Sequence, residues 1–126
     1  MSNRKTLTAL FVGLILMGCG PQTIFVRPSL DTPAQHVANG RQFLGQRKIE
    51  DACREFNRAK ELDPQFIGAY IGLGVASGLK GDFQTGFAIM ERAKQMAVND
   101  QQLSAVRQGY EQLIRIQQQR TGSQNQ

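Results

Sequence analysis

Side chains able to do covalent or acid–base chemistry are few in this chain. It has one histidine, His36, and two cysteines, Cys19 and Cys53. A Ser-His-Asp or Cys-His arrangement needs an imidazole as its base, so any such site would have to be built on His36. His36 instead falls in register with Tyr70 in an internal repeat set out below, which makes it a packing position. Metal sites want clustered His, Cys or carboxylate ligands, and the sequence offers no such cluster. Glu50 and Asp51 are adjacent in a helical stretch, so their carboxylates diverge and read as surface charges rather than an acid/base pair. The run Gly72-Leu73-Gly74-Val75-Ala76-Ser77-Gly78 has the wrong spacing for a phosphate loop. No strand precedes it and no Gly-Lys-Ser/Thr follows. The expectation is a protein that is not an enzyme, with no cofactor, metal or small-molecule substrate.

The charge balance excludes a further class. The chain carries 15 Lys+Arg against 10 Asp+Glu. Two of the cations, Arg4 and Lys5, precede the first apolar run; taking those 2 from the 15 leaves 13 against 10, a balance of +3. The rest of the charge is spread along the chain, without the basic stripe and stacking aromatics that nucleic-acid binding wants. No nucleic-acid partner is expected.

The remaining reactive residue is Cys19, and the elements around it give it a role. Met1 to Thr6 is polar and basic, Leu7 to Met17 is an apolar run, and Gly18, Cys19 and Gly20 follow at once. A positive start, a short apolar core and small residues at its end describe a secretory signal peptide. The run is too short to span a bilayer, which takes roughly 20 apolar residues. Leu16-Met17-Gly18-Cys19 resembles the bacterial lipobox, with the less usual Met17 at its second place. The resemblance implies cleavage before Cys19 and a diacylglycerol on its sulfur, a covalent lipid that makes the chain's membrane attachment. Several acyl chains on one residue anchor stably where one alone is marginal. The alternatives are simple cleavage leaving Cys19 free, or a coincidental cysteine in an ordinary signal. In the lipoproteins this resembles, Asp after the cysteine often retains the protein at the inner membrane. Gly20 stands there, so the expected location is the periplasmic face of the outer membrane. With Cys19 lipidated, only Cys53 remains; no intramolecular disulfide can form, and Cys53 reads as a small packing residue.

Residues 1–18 are thus read as the signal peptide and 19–32 as a lipidated cysteine with an extended tether, its two prolines and absent helical period arguing against a packed element. Its Ile24-Phe25-Val26 cluster is a candidate for docking on the domain or a partner. Residues 120–126 read as a disordered polar tail. Between lies a period of 34. His36 falls on Tyr70, Val37 on Ile71, Gly40 on Gly74, Ile49 on Phe83, Phe56 on Met90 and Ala59 on Ala93. Similarity at a fixed period marks a solenoid.

Each unit reads as two helices. Thr32-Pro33-Ala34-Gln35 has a capping hydroxyl, a proline at the first helical position and a Gln three residues after the Thr, the pattern of a capping box. The first helix is expected to run to about Gln46. The second spans about Ile49 to Leu62 and stops at Asp63-Pro64. The third spans about Ile67 to Lys80 and stops at Gly81, with Asp82 placed to cap a fourth that reaches about Ala97. A fifth starts at Asn99-Asp100 and ends near Gln118, with Leu103, Val106, Tyr110, Leu113 and Ile114 at helical spacing. The fold class expected is all-α.

These residues carry a resemblance to the tetratricopeptide repeat. Gly40, Phe43, Ala52, Phe56, Ala59 and Pro64 match that family's pattern in the first copy. Tyr70, Leu73, Gly74, Gly81, Phe83, Met90 and Ala93 match it in the second. Asn39, Gly86 and Val98 depart from it, standing where Leu, Ala and a closing proline are usual. The resemblance implies a helical-hairpin solenoid: repeat 33–66, repeat 67–100 and a capping helix 101–119. Two repeats are short for independent stability. Gly68, Gly72, Gly74 and Gly78 in the third helix each cost roughly 0.8–1 kcal/mol against Ala. Compensation is expected from close approach of neighbouring helices there, or from a partner or second copy that fills the concave face. The domain alone is expected to be marginally stable and to gain stability on binding.

In the family resembled, the first helix of each pair lines a groove that receives a peptide or helix. Those positions fall here on Ala34, Val37, Arg41 and Leu44, then on Gly68, Ile71, Val75 and Leu79. The face is mostly apolar, and it lacks the Lys and Asn of the family's carboxylate clamps. The resemblance implies a protein partner, bound through an apolar or amphipathic segment. The competing expectation is that the fifth helix or the tether buries these residues. Small outer-membrane lipoproteins with such repeats act as assembly factors, among them pilotins for secretins and factors for the Tad-type pilus or barrel assembly. A membrane-anchored periplasmic scaffold of that kind is the expected function. The alternatives are an adaptor recruiting peptidoglycan hydrolases or proteases, and an enzyme subunit or structural lipoprotein without a groove ligand.

Overall fold

A computed structural model describes residues 31–124. The signal segment, Cys19, the tether as far as residue 30 and the last two residues lie outside the described residues. Five helices follow one another: α1 (Pro33–Gly45), α2 (Ile49–Leu62), α3 (Ile67–Lys80), α4 (Phe83–Met96) and α5 (Asp100–Gln124). Connections of two to four residues fold each helix back onto its predecessor. α1 packs on α2 and α3, α3 also packs on α2, α4 and α5, and α4 packs on α5. No strand occurs among the described residues.

Local chemistry sets the helix ends. Thr32 caps α1 by accepting the Gln35 backbone N–H at 3.2 Å, with Pro33 in the first turn. The reciprocal half of the expected capping box is not made. The Gln35 amide donates instead to Asn39 Oδ1 at 2.9 Å, a partner one turn on. Asp82 caps α4 through the Thr85 N–H at 3.0 Å, as its position implied.

α1 and α3 end the same way. After α3, the Asp82 N–H reaches Ser77 O and the Gly81 N–H reaches Gly78 O, with Gly81 left-handed at φ 96°. After α1, Lys48 N–H reaches Phe43 O and Arg47 N–H reaches Leu44 O. The left-handed residue there is Arg47, at φ 60°. Arg47 and Gly81 are one 34-residue period apart.

Two core contacts, Gly40–Phe56 and Gly74–Met90, stand 34 residues apart. The ring of Phe56 on α2 lies between Gly40 of α1 and Gly72 of α3; a methyl at Gly40 would stand 2.5 Å from it, and one at Gly72 would overlap it. Met90 on α4 lies between Gly74 of α3 and Gly109 of α5, where a methyl would come within 3.0 and 2.9 Å of its Cε. Ala52, Ala59 and Ala69 are wholly buried around Phe56, Ala93 is wholly buried with Ile67 and Val106, and Ala76 is wholly buried on α3. Close approach of neighbouring helices thus offsets the glycine content of α3: Gly72, Gly74 and Gly78 are all buried, and Gly78 faces Leu113.

α5 differs from its expected form in two ways. It runs through Gln124, beyond the end placed near Gln118 and into the stretch read as a disordered tail. Gln and Arg are good helix formers, and the Thr121 and Ser123 hydroxyls donate back to the Gln117 and Gln119 carbonyls. Arg120 also reaches back to Gly81. The buried seam of α5 holds Val106 and Leu113, with Tyr110 and Ile116 partly buried beside them. Leu103 and Ile114, expected on that seam, point outward at 42% and 41% exposure. Ile114 follows Leu113 directly and so sits about 100° around the helix from it.

Candidate functional site

The helices with odd numbers share one face. Between α1, α3 and α5 lies an open cavity of about 630 Å³. Of the eight groove positions named from the sequence, five, Arg41, Leu44, Ile71, Val75 and Leu79, line it together. Val37 does not. It is 4% exposed and belongs to the core around Phe56, Ala52, Ala59 and Ala69. Val37 and Gly40 are the two buried residues of α1; the turn that places Gly40 against Phe56 carries Val37 inward with it. Ala34 is exposed beside the cap, and Gly68 lines an adjoining cavity nearer the start of α3.

α5 forms a wall of this cavity and leaves it open. Gln112, Ile116 and Gln119 face it from α5, Arg47 faces it from the turn after α1, and Ile49 from the start of α2. Sequence reasoning assigned none of these five to the site. Their signal was present but weak: Gln112, Ile116 and Gln119 recur at spacings of three and four, which puts them on one helix face. Arg47 lies at a turn whose left-handed geometry is not visible without the repeat register. Two smaller cavities adjoin, and Arg41 and Ile71 line parts of all three. Val75 is 2% exposed and contributes floor rather than contact surface.

The chemistry-bearing residues lie elsewhere. His36 is not packed in the apolar core as its register with Tyr70 suggested. Its Nε2 lies 2.8 Å from Asp31 Oδ1 and its Nδ1 lies 2.8 Å from Glu55 Oε2. A neutral imidazole has only one N–H, so a ring between two carboxylates favours the doubly protonated form. The Asp31 hydrogen bond, helped by Glu55, raises the His36 pKa above its ordinary 6.5 against the opposing effect of burial. Asp31 is held below its usual value by hydrogen bonds from Arg58 and His36. Glu55 is pushed up by burial but held low overall by hydrogen bonds from His36 and Asn39. This cluster ties the segment before α1 to both α1 and α2. Tyr70, one period on, ties α3 to the segment before it by donating to the Pro64 carbonyl at 2.8 Å.

Glu50 and Asp51 diverge as expected. Glu50 pairs across helices with Lys80 at 2.8 Å, and Asp51 pairs with Arg54 on its own helix. Cys53 is a partly buried free thiol, its pKa raised by burial. Among the described residues no group of His, Cys, Asp and Glu is placed to hold a metal ion, and no helix is long and apolar enough to cross a membrane.

No protein-family model, curated protein or solved structure matches the chain.

Proposed function

We propose that this chain is a lipid-anchored scaffold of the bacterial envelope. It holds a protein partner in the cavity between α1, α3 and α5 and serves as an assembly factor for an envelope, pilus or secretion complex. In this reading the helices form two tetratricopeptide-like hairpins capped by α5. The recurrence of Gly40–Phe56 as Gly74–Met90, and of the left-handed turn at Arg47 and Gly81, supports that arrangement. The anchor is the lipid on Cys19, supported by the signal-like segment and Gly18-Cys19-Gly20.

The observation that carries the reading is the open cavity. Residues chosen from α1 and α3 by their place in the repeat meet around one hollow, and α5 adds a wall to it instead of filling it. An apolar floor with polar groups around it is a form that recognition sites take, and an open hollow between helices suits a helix or extended segment.

The test places a photo-crosslinking residue at Gln112, which is exposed and lines the cavity, in cells making either the full chain or its Cys19→Ala form. The expected result is an adduct with another envelope protein that weakens when Cys19→Ala releases the chain from the membrane. Adducts confined to the chain's own residues before Asp31 would show the cavity to be filled from within and would end the partner reading. Retention of the Cys19→Ala form in the membrane would end the anchor reading.

A further inference from the structure

We infer that the segment held in this cavity is acidic as well as apolar, an amphipathic polypeptide whose carboxylates meet Arg41, Arg47 and Arg115. The inference rests on the groove reading above and adds the chemistry of the occupant. Leu44, Ile71, Leu79 and Ile116 make the floor apolar. Arg41 and Arg47 stand on its α1 side, and Arg115 stands across from Arg41 on α5, in the adjoining cavity. All three are exposed. Among the described residues, none of the three lies within ion-pair distance of a carboxylate.

Other cations among the described residues, Lys48, Lys60, Arg92, Arg107 and Arg120, also lie beyond ion-pair distance of a carboxylate; what sets Arg41 and Arg47 apart is their place in a lining that holds no acid. Arg54 pairs with Asp51, Arg58 with Asp31 and Glu61, Lys80 with Glu50, and Lys94 with Glu91. The acids of α2 and α4 are thus matched by cations on or near those helices. The main cavity has two arginines in its lining and no acid. Glu111 lines the adjoining cavity beside Arg115, and Asp63 lies at the far end, where its carboxylate accepts the Gln65 backbone N–H. The charge lining the main cavity is therefore positive.

Guanidinium groups grip carboxylates through paired N–H donors, and such charge-assisted bonds gain strength where water is excluded. Burying the floor under apolar side chains supplies that exclusion. Gln112 and Gln119 add amides along the α5 wall able to meet backbone or carboxylate oxygens. The recessed floor favours a narrow polypeptide over a flat membrane surface. The main cavity also lacks the aromatic platforms on which nucleic-acid bases stack.

The test titrates the full chain, held in detergent, with three labelled synthetic amphipathic peptides of about 18 residues, enough for five helical turns. They share one apolar stripe and carry Glu, Gln or Lys on its flanks, and binding is read by fluorescence anisotropy. The Glu peptide is expected to bind at least about tenfold tighter than the Gln peptide, with the Lys peptide weakest. That preference should shrink as salt rises from about 50 to 300 mM. It should vanish in the Arg41→Gln, Arg47→Gln, Arg115→Gln triple variant, whose helicity by circular dichroism should match the parent because all three side chains are exposed. Equal binding of the three peptides, or preference for Lys, would overturn the inference while leaving the groove reading in place. Binding of none would defeat the groove reading itself. A Glu preference surviving in the triple variant, or a Glu peptide displaced by phosphatidylglycerol vesicles and not by vesicles of neutral lipid, would also overturn the inference.

Discussion

The two hairpins of this chain solve one packing problem with different residues. In the first, α1 and α2, the bulky residue between glycines is Phe56, the left-handed turn residue is Arg47, and the incoming chain is tied by His36 to Asp31 and Glu55. In the second, α3 and α4, the same places hold Met90, Gly81 and Tyr70. Position in the stack accounts for the contrast. α3 packs against all four other helices and buries seven of its residues, whereas α1, at the end, packs on α2 and α3 and buries two. An interior hairpin must be small and apolar; a terminal one can use charge, because part of its surface stays in water.

The largest difference should appear at the glycine clamps. A methyl at Gly40 would strike the flat ring of Phe56, which cannot fold away, whereas one at Gly109 meets the flexible end of Met90. Gly40→Ala should therefore cost about 1–3 kcal/mol, the usual range for overpacking. Gly109→Ala should cost less, because it also meets Ile71 but can be relieved by a Met90 rotamer change. Urea midpoints of the two variants check this; equal losses would show that Phe56 and Met90 yield alike.

A smaller effect of opposite sign is expected at the turns. A non-glycine residue in the left-handed region costs roughly 1–2 kcal/mol, so Arg47→Gly should stabilise the first hairpin by about 1 kcal/mol. Gly81→Ala should destabilise the second by a similar amount, with its added methyl also displacing Arg120. Thermal melts read both. A destabilised Arg47→Gly would mean that the arginine side chain supports the turn in the absence of any partner.

The smallest effect concerns pH. The raised pKa of His36 means that its contribution is fully present below the ordinary 6.5 and is lost as pH rises through the higher folded value. The lowered values of Asp31 and Glu55 work in the other direction. Their contribution is present above 3.8 and 4.5 respectively and is lost as pH falls through the folded values. The gap in melting temperature between the parent and His36→Gln should thus be widest near pH 5–6 and narrow toward pH 9. Tyr70→Phe should show a gap that does not change over that range. A His36→Gln gap independent of pH would show the imidazole to be a neutral hydrogen-bonding group.

Helix ends were the most legible part of the chain. α2 and α3 run over the residues that their proline and glycine signals marked, and α4 ends one residue early at Met96. Such signals act locally, through φ restriction and missing donors, so they read directly from the residue string. Arg41, Leu44, Ile71, Val75 and Leu79, positions that the tetratricopeptide resemblance implied, meet in one cavity. Three features were not legible. Val37 has the type and spacing of a groove residue, but the rotation of α1 against Phe56 decides that it is core. The last turns of α5 have no apolar residues to announce them; there the Thr121 and Ser123 hydroxyls donate to backbone carbonyls and Arg120 reaches Gly81. His36 gave no hint of its two carboxylates, because Asp31 and Glu55 lie 5 and 19 residues away along the chain.

The sequence by itself determined the helical class, the ends of the inner helices, the period and the small residues that let helices approach. These are set by backbone conformation and side-chain size within a few residues of one another. Tertiary structure alone decided which arginines stand unmatched around the apolar floor, because an ion pair depends on which carboxylates the packing brings within about 4 Å. Charge spread along the chain thus leaves Arg41 and Arg47 together in a cavity lining that holds no carboxylate.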